Sequence, residues 1–223
     1  MLLLALDTAT PAVTVALHDA DADRTLAASD QNDARRHGEL LLPAVDRVLA
    51  EAGRALADVS AFVVGVGPGP YTGLRVGLAT AEAFGAALGT PVYGLCTLDG
   101  IAYASGLDTP FVVATDARRK EVYWARYADS RTREGEPAVD RPADLAEQVA
   151  GVPAVGAGAV LYRDTFTGLR EELPADQSAT SLARLAAETL AAEGPAGFLP
   201  PRPLYLRRPD AQVPANYKVV TPK

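Results

Sequence analysis

The sequence predicts an α/β protein built from two similar halves, each with a mixed sheet. Three observations predict it. Each half opens on an apolar run closed by an aspartate, Leu2 to Asp7 and Phe111 to Asp116, with a second short strand after it. Shifted by 109 residues, Asp7 falls on Asp116, Val13 on Val122, Val15 on Trp124 and Ala16 on Ala125, the pattern of an internal duplication. Strand-like runs then alternate with stretches of helical period. The halves are expected at 1–105 and 106–223, the second carrying a final helix and an extended tail.

In the first half, Leu2 to Asp7 and Ala12 to His18 read as adjacent strands joined by a Thr-Ala-Thr-Pro turn, and Arg24 to Ser29 as a third strand. His37 to Ala52 reads as a helix ended by Gly53, with Pro43 predicting a kink or a late start. Ala61 to Val66 is a buried strand, a glycine-proline loop leads into a long helix, and Pro91 to Leu95 is a short strand, giving β-β-β-α-β-α-β. In the second half, Phe111 to Asp116, Val122 to Tyr127, Glu134 to Val139 and Val152 to Val155 read as strands. Pro142 to Ala150 and Ser178 to Ala192 read as helices. The proline-rich tail from Pro195, with Arg202, Arg207 and Arg208 beside Tyr205, reads as an extended arm on the surface, with a nucleic-acid contact as the alternative.

The most constrained stretch is Gly65 to Gly89. Positions four apart in its helix are Gly73, Gly77, Ala81, Gly85 and Gly89, so one row carries almost no side chain and something must approach it closely. Arg75 and Glu82 share a narrow polar wedge opposite Gly77, and most of the remaining circumference is apolar or small. Two buried sides are implied: the helix's own sheet on one, and on the other a helix of this chain or of a partner. The helix from His37 has the same surplus, since Leu40, Leu42 and Leu49 lie outside its Leu41, Val45, Val48, Ala52 face. Two such neighbours favour a bundle completed by a second chain. Two charges and many glycines argue against a membrane span.

Composition closes several doors. The single cysteine, Cys96, rules out an internal disulfide and a cysteine-cluster metal site. A net charge of −7 disfavours tight independent binding to a phosphate backbone, so any nucleic acid is expected to be held mostly by a partner. No basic leader follows Met1, which makes cytoplasm the expectation. The only histidines, His18 and His37, form no His-x-x-x-His pair, and no serine has a histidine placed to activate it, so no metal, cofactor or hydrolytic triad is expected. The Gly65 loop lacks the Gly-Lys-Ser/Thr of a Walker loop, and Pro68 and Pro70 remove donors from any anion cradle.

Two halves, each placing an acid after its first strand, resemble the actin-like ATPase and sugar-kinase superfamily, which implies the two-lobed, RNase H-like fold. Its phosphate loops usually carry glycine two residues after the acid. Here Asp7-Thr8-Ala9 and Asp116-Ala117-Arg118 place a methyl and a long side chain there, so the nucleotide site is expected to be degenerate. An anion contact by Arg118 is the alternative.

The motifs LALDTAT, HGELLLP, GVGPGPYTGLRVGLATAEAFG, DARRKEVYWARY and PLYLR are similar to the TsaB/YeaZ family of bacterial tRNA threonylcarbamoyladenosine synthesis. The resemblance is strongest over residues 1 to 127; Pro70-Tyr71 stands where many relatives have Ser-Phe. It implies a non-catalytic subunit that pairs with the catalytic homologue TsaD, works with the ATPase TsaE, meets tRNA only through that complex, and dimerises with itself when alone. It maps the pairing surface onto Leu41, Leu42, Val45, Leu49, Leu74, Gly77, Leu78 and Ala81. Arg75, a cation in a helix's first turn, is expected to meet a carboxylate or carbonyl across that surface. The competing expectations are an active ATPase or small-molecule kinase using Asp7 and Asp116, and a peptidase.

Overall fold

The computed structural model describes residues 1–207; Arg208 lies outside the described residues. The run Leu2–Asp7 forms β1, which pairs antiparallel with β2 (Ala12–Asp19), Ala5 opposite Ala16, and β2 pairs with β3 (Arg24–Asn32). After α1 (His37–Glu51), β4 (Ala61–Gly65) joins β1 in parallel, and after α2 (Tyr71–Leu88), β5 (Val92–Leu95) joins β4. The sheet order is β3-β2-β1-β4-β5. A nine-residue helix, α3 (Thr97–Ser105), leads into the second half.

That half repeats the plan with β6 (Phe111–Asp116), β7 (Val122–Asp129), β8 (Thr132–Asp140), α4 (Pro142–Val149), β9 (Pro153–Val155), α5 (Ala157–Leu161), β10 (Gly168–Leu169) and α6 (Ala179–Glu193). Its sheet order, β8-β7-β6-β9-β10, is the first sheet's order strand for strand. The two opening turns match in detail. Asp7 Oδ1 accepts from the Ala9 N–H at 2.7 Å and Asp116 Oδ1 from the Arg118 N–H at 2.8 Å.

Alternation along each strand distributes side chains to two buried faces. Leu4, Leu6, Val13, Val15, Phe62 and Val64 pack under α1 and α2. Leu3, Ala5, Ala16, Ala61 and Val63 pack under α6 through Ala179, Leu182, Ala183 and Ala186. On the second sheet, α3 covers Phe111, Val113, Ala125 and Tyr127, while Leu145, Val149, Ala159 and Phe166 cover the other face.

The expected boundary at 105/106 therefore divides the strands but not the helices. α3, encoded in the first half, roofs the second sheet, and α6, encoded in the second, roofs the first. Polar contacts reinforce the exchange: Asp99 of α3 accepts from Arg133 Nη1 at 2.7 Å and from the Tyr127 hydroxyl at 2.8 Å. Glu188 of α6 accepts from Arg131 and from the Tyr103 hydroxyl. Pro43 neither ends α1 nor delays its start; it sits on the exposed side of a helix that begins at His37. The tail runs as an arm, bridging Gly94 through Leu199 and donating from Leu204 N–H to Val66 O at 2.8 Å. Among the described residues no helix is long and apolar enough to cross a membrane.

Candidate functional site

The small-residue row of α2 meets this chain's own β1–β2 turn. Thr8 Oγ1 donates to Gly73 O at 2.7 Å and accepts from Gly77 N–H at 2.9 Å, so one hydroxyl bridges a carbonyl and the N–H four residues on. A Cβ at Gly77 would stand 2.7 Å from Thr8 Oγ1, and one at Gly73 2.7 Å from Thr8 O. Glycine at both positions is what lets the turn dock.

The same docking seals the β1–β2 turn. Asp7 is 1% exposed, and Thr8, Ala9 and Thr10 are buried. Both Asp7 oxygens are used, one by the Ala9 N–H and the other by the Thr97 hydroxyl at 2.8 Å. Burial pushes its pKa up to about 6, with those two donors and the His37 charge pulling the other way. His37 donates from Nε2 to Thr10 O at 2.8 Å, tying the start of α1 to the same turn. With both oxygens bonded and almost no exposed surface, Asp7 is not positioned to hold a nucleotide's metal. What remains is a cavity of about 230 Å³ that Thr8 and Arg118 border, below the roughly 300 Å³ at which small-molecule pockets begin. Arg118 lies 3.3 Å from Asp116.

The predicted pairing surface divides sharply. Leu41, Val45, Leu49, Leu74, Gly77, Leu78 and Ala81 are buried in the monomer's own core, because α1 and α2 turn those faces to the sheet. Only Leu42, half exposed, and Arg75 point outward. Arg75 does not wait for a partner's carboxylate: its Nε donates to the Tyr205 hydroxyl at 2.7 Å, and its guanidinium lies 3.6 Å from the centroid of the Tyr71 ring. Tyr71 and Tyr205 stack at 5.4 Å.

Sequence reasoning marked a second apolar or small side of α2 without naming the residues at its centre. Thr72, Ala79, Ala83 and Ala86 are exposed, with Val76 half-buried between them and Tyr71 at the helix start. Their spacing of three and four residues was the available signal. With Leu42 of α1 they leave two neighbouring helices with outward apolar surface, lined on α2 by side chains small enough for another helix to come close.

The second cluster missed is the β6–β7 turn. Arg118, Arg119 and Lys120 take φ of 62°, 55° and 63° in succession, a left-handed run costing about 1–2 kcal/mol per residue. Arg118 and Arg119 of this run border the same cleft as the Tyr71–Tyr205 stack.

Comparison with known proteins places the chain. A family model described as TsaD, tRNA N6-adenosine threonylcarbamoyltransferase, matches residues 27–215. A Mycobacterium tuberculosis protein of unassigned role is 47% identical, covering 94% of this chain and 93% of its own length. The Escherichia coli tRNA threonylcarbamoyladenosine biosynthesis protein TsaB is 38% identical over 57% of this chain and 55% of its own. The solved structure of YeaZ from Pseudomonas aeruginosa superposes with a TM-score of 0.78 at 31% identity, covering 92% of this chain and 99% of that one. Likeness across both sheets, together with motifs that run from the first turn to the arm, means that the chain belongs to the TsaB/YeaZ family.

Proposed function

We propose that this chain is a non-catalytic subunit of the machinery that makes tRNA N6-threonylcarbamoyladenosine. It pairs with a TsaD-type catalytic homologue, works beside the ATPase TsaE, and transfers no group itself. The pairing surface is the outward side of α1 and α2, around Leu42, Tyr71, Ala79 and Ala83. Alone, the chain pairs with itself through the same faces. The observation that carries this reading is the contrast between the two sides of one helix pair: inward, a core so close that Thr8 locks α2; outward, exposed apolar side chains at Leu42, Ala79 and Ala83.

The sealed Asp7 weighs against an ATPase or kinase, whose metal-bound nucleotide would need that carboxylate. The histidines weigh against a peptidase, since His18 bonds the Thr25 hydroxyl and His37 the Thr10 carbonyl. The test is co-expression with the source organism's own TsaD-type protein. The wild-type chain is expected to co-elute with it in gel filtration, and an Ala79→Arg/Ala83→Arg chain to elute alone with unchanged far-UV circular dichroism. Co-elution of the double variant would overturn the surface, and no co-elution of the wild type the pairing.

A further inference from the structure

One cleft among the described residues is cationic and aromatic on a chain whose formal net charge is −7. It has a volume of about 560 Å³ and opens between the start of α2, the β6–β7 turn and the arm. Arg75, Arg118, Arg119 and Arg207 line it with Tyr71 and Tyr205. Asp116 lies beside Arg118, and Glu121 pairs with Arg207. Arg75 meets only neutral groups among the described residues, the Tyr205 hydroxyl and the Tyr71 ring.

The arrangement has the parts of a single-strand site. Cations come from three separate elements, so they follow an extended anion better than a point charge, and the two exposed tyrosines, 18° from parallel, offer ring surface to a flat base. An acidic peptide would use the cations and leave the stack idle. We propose that this cleft holds a single-stranded stretch of RNA, its phosphates on Arg118, Arg119 and Arg75 and a base against Tyr205. This rests on the reading above, in which tRNA is the complex's substrate, and gives the chain a share in holding it. Because Tyr71 belongs both to the cleft and to the outward side of α2, a strand lying here passes the edge of the pairing surface.

The test is fluorescence anisotropy of a labelled single-stranded RNA of about 12 nucleotides, a length within the span of known single-strand sites, titrated with the full chain at about 50 and 200 mM salt. Saturable binding that weakens with salt is expected. Arg118→Asn/Arg119→Asn removes two charges while keeping residues that tolerate the left-handed turn. It should weaken binding at least about fivefold and flatten the salt dependence by about 0.7 per lost phosphate contact. Tyr205→Ala should weaken binding with the slope unchanged, and Arg75→Gln, on an exposed helix position, repeats the charge test should the turn variant not fold. The proposal fails if the wild-type chain shows no saturable binding, if the folded charge variants bind as tightly as wild type, or if AMP displaces the strand at equal nucleotide concentration, which would make the cleft a mononucleotide pocket. Gel filtration with the TsaD-type protein separates the two claims: retained pairing with lost RNA binding removes only the cleft, and the reverse removes only the pairing.

Discussion

Asp7 shows how an acid at the end of a first strand can serve the structure. Its carboxylate is satisfied by one backbone N–H and one hydroxyl, and it forces glycine at position 65, where a Cβ would overlap its oxygens. Its raised pKa has a sign that can be checked. The native state holds this proton more tightly than the unfolded chain, so the contribution is most favourable below about pH 4 and is lost as pH rises toward about 6. The loss is on the order of 3 kcal/mol at neutral pH. Asp7→Asn cannot ionise and is expected to escape it: in urea denaturation the variant's stability relative to wild type should rise by that amount between pH 4 and pH 7. A pH-independent difference would mean that Asp7 stays charged in the folded protein. The sequence announced the missing glycine at position 9; it did not announce that the turn would be packed shut, because the packing partner, α2, lies more than sixty residues away.

At the scale of elements, α2 and the β1–β2 turn behave as one piece. Alanine has the better helix propensity by about 1 kcal/mol, yet Gly77→Ala is expected to destabilise the protein by about 1–3 kcal/mol, because the new methyl meets Thr8 Oγ1 at 2.7 Å. Removing the obstacle should restore part of that. A double-mutant cycle with Thr8→Ala is therefore expected to show a coupling of at least about 0.5 kcal/mol, and additive effects would remove Thr8 from the lock. The same geometry shows why Gly77→Leu is a poor probe of partner binding: it strikes the core before any interface. The row of small residues was legible in the sequence, and so was its demand for a close neighbour. Which neighbour was not, because periodicity reports that a face is crowded without saying by what. Arg75 is the parallel case, its partner Tyr205 standing on an arm 130 residues further on.

At the scale of the whole molecule, the exchange of α3 and α6 makes the two halves depend on each other. Neither sheet keeps both faces covered if the other half unfolds, and the Asp99–Arg133–Tyr127 cluster joins them again. Denaturation is therefore expected to be a single transition. Fluorescence of Trp124, the only tryptophan and a residue of the second sheet, should lose its signal at the same urea concentration as far-UV circular dichroism. Separated midpoints would mean that the halves fold independently.

By itself the sequence determined the two-fold repeat, the strands and long helices and the family, since these are written in local periodicity and in motifs of contiguous residues. It missed α3, α5 and β10, which are too short, or in α3 interrupted by Gly100, to show a period. Only the tertiary structure decided that α3 and α6 change places and that seven of the nine residues expected at the pairing surface face inward. It also decided that four arginines and three tyrosines converge on one cleft. Each of these depends on which distant segments share a surface, and a helical wheel cannot tell a sheet of the same chain from a partner's helix, since both ask for the same apolar stripe.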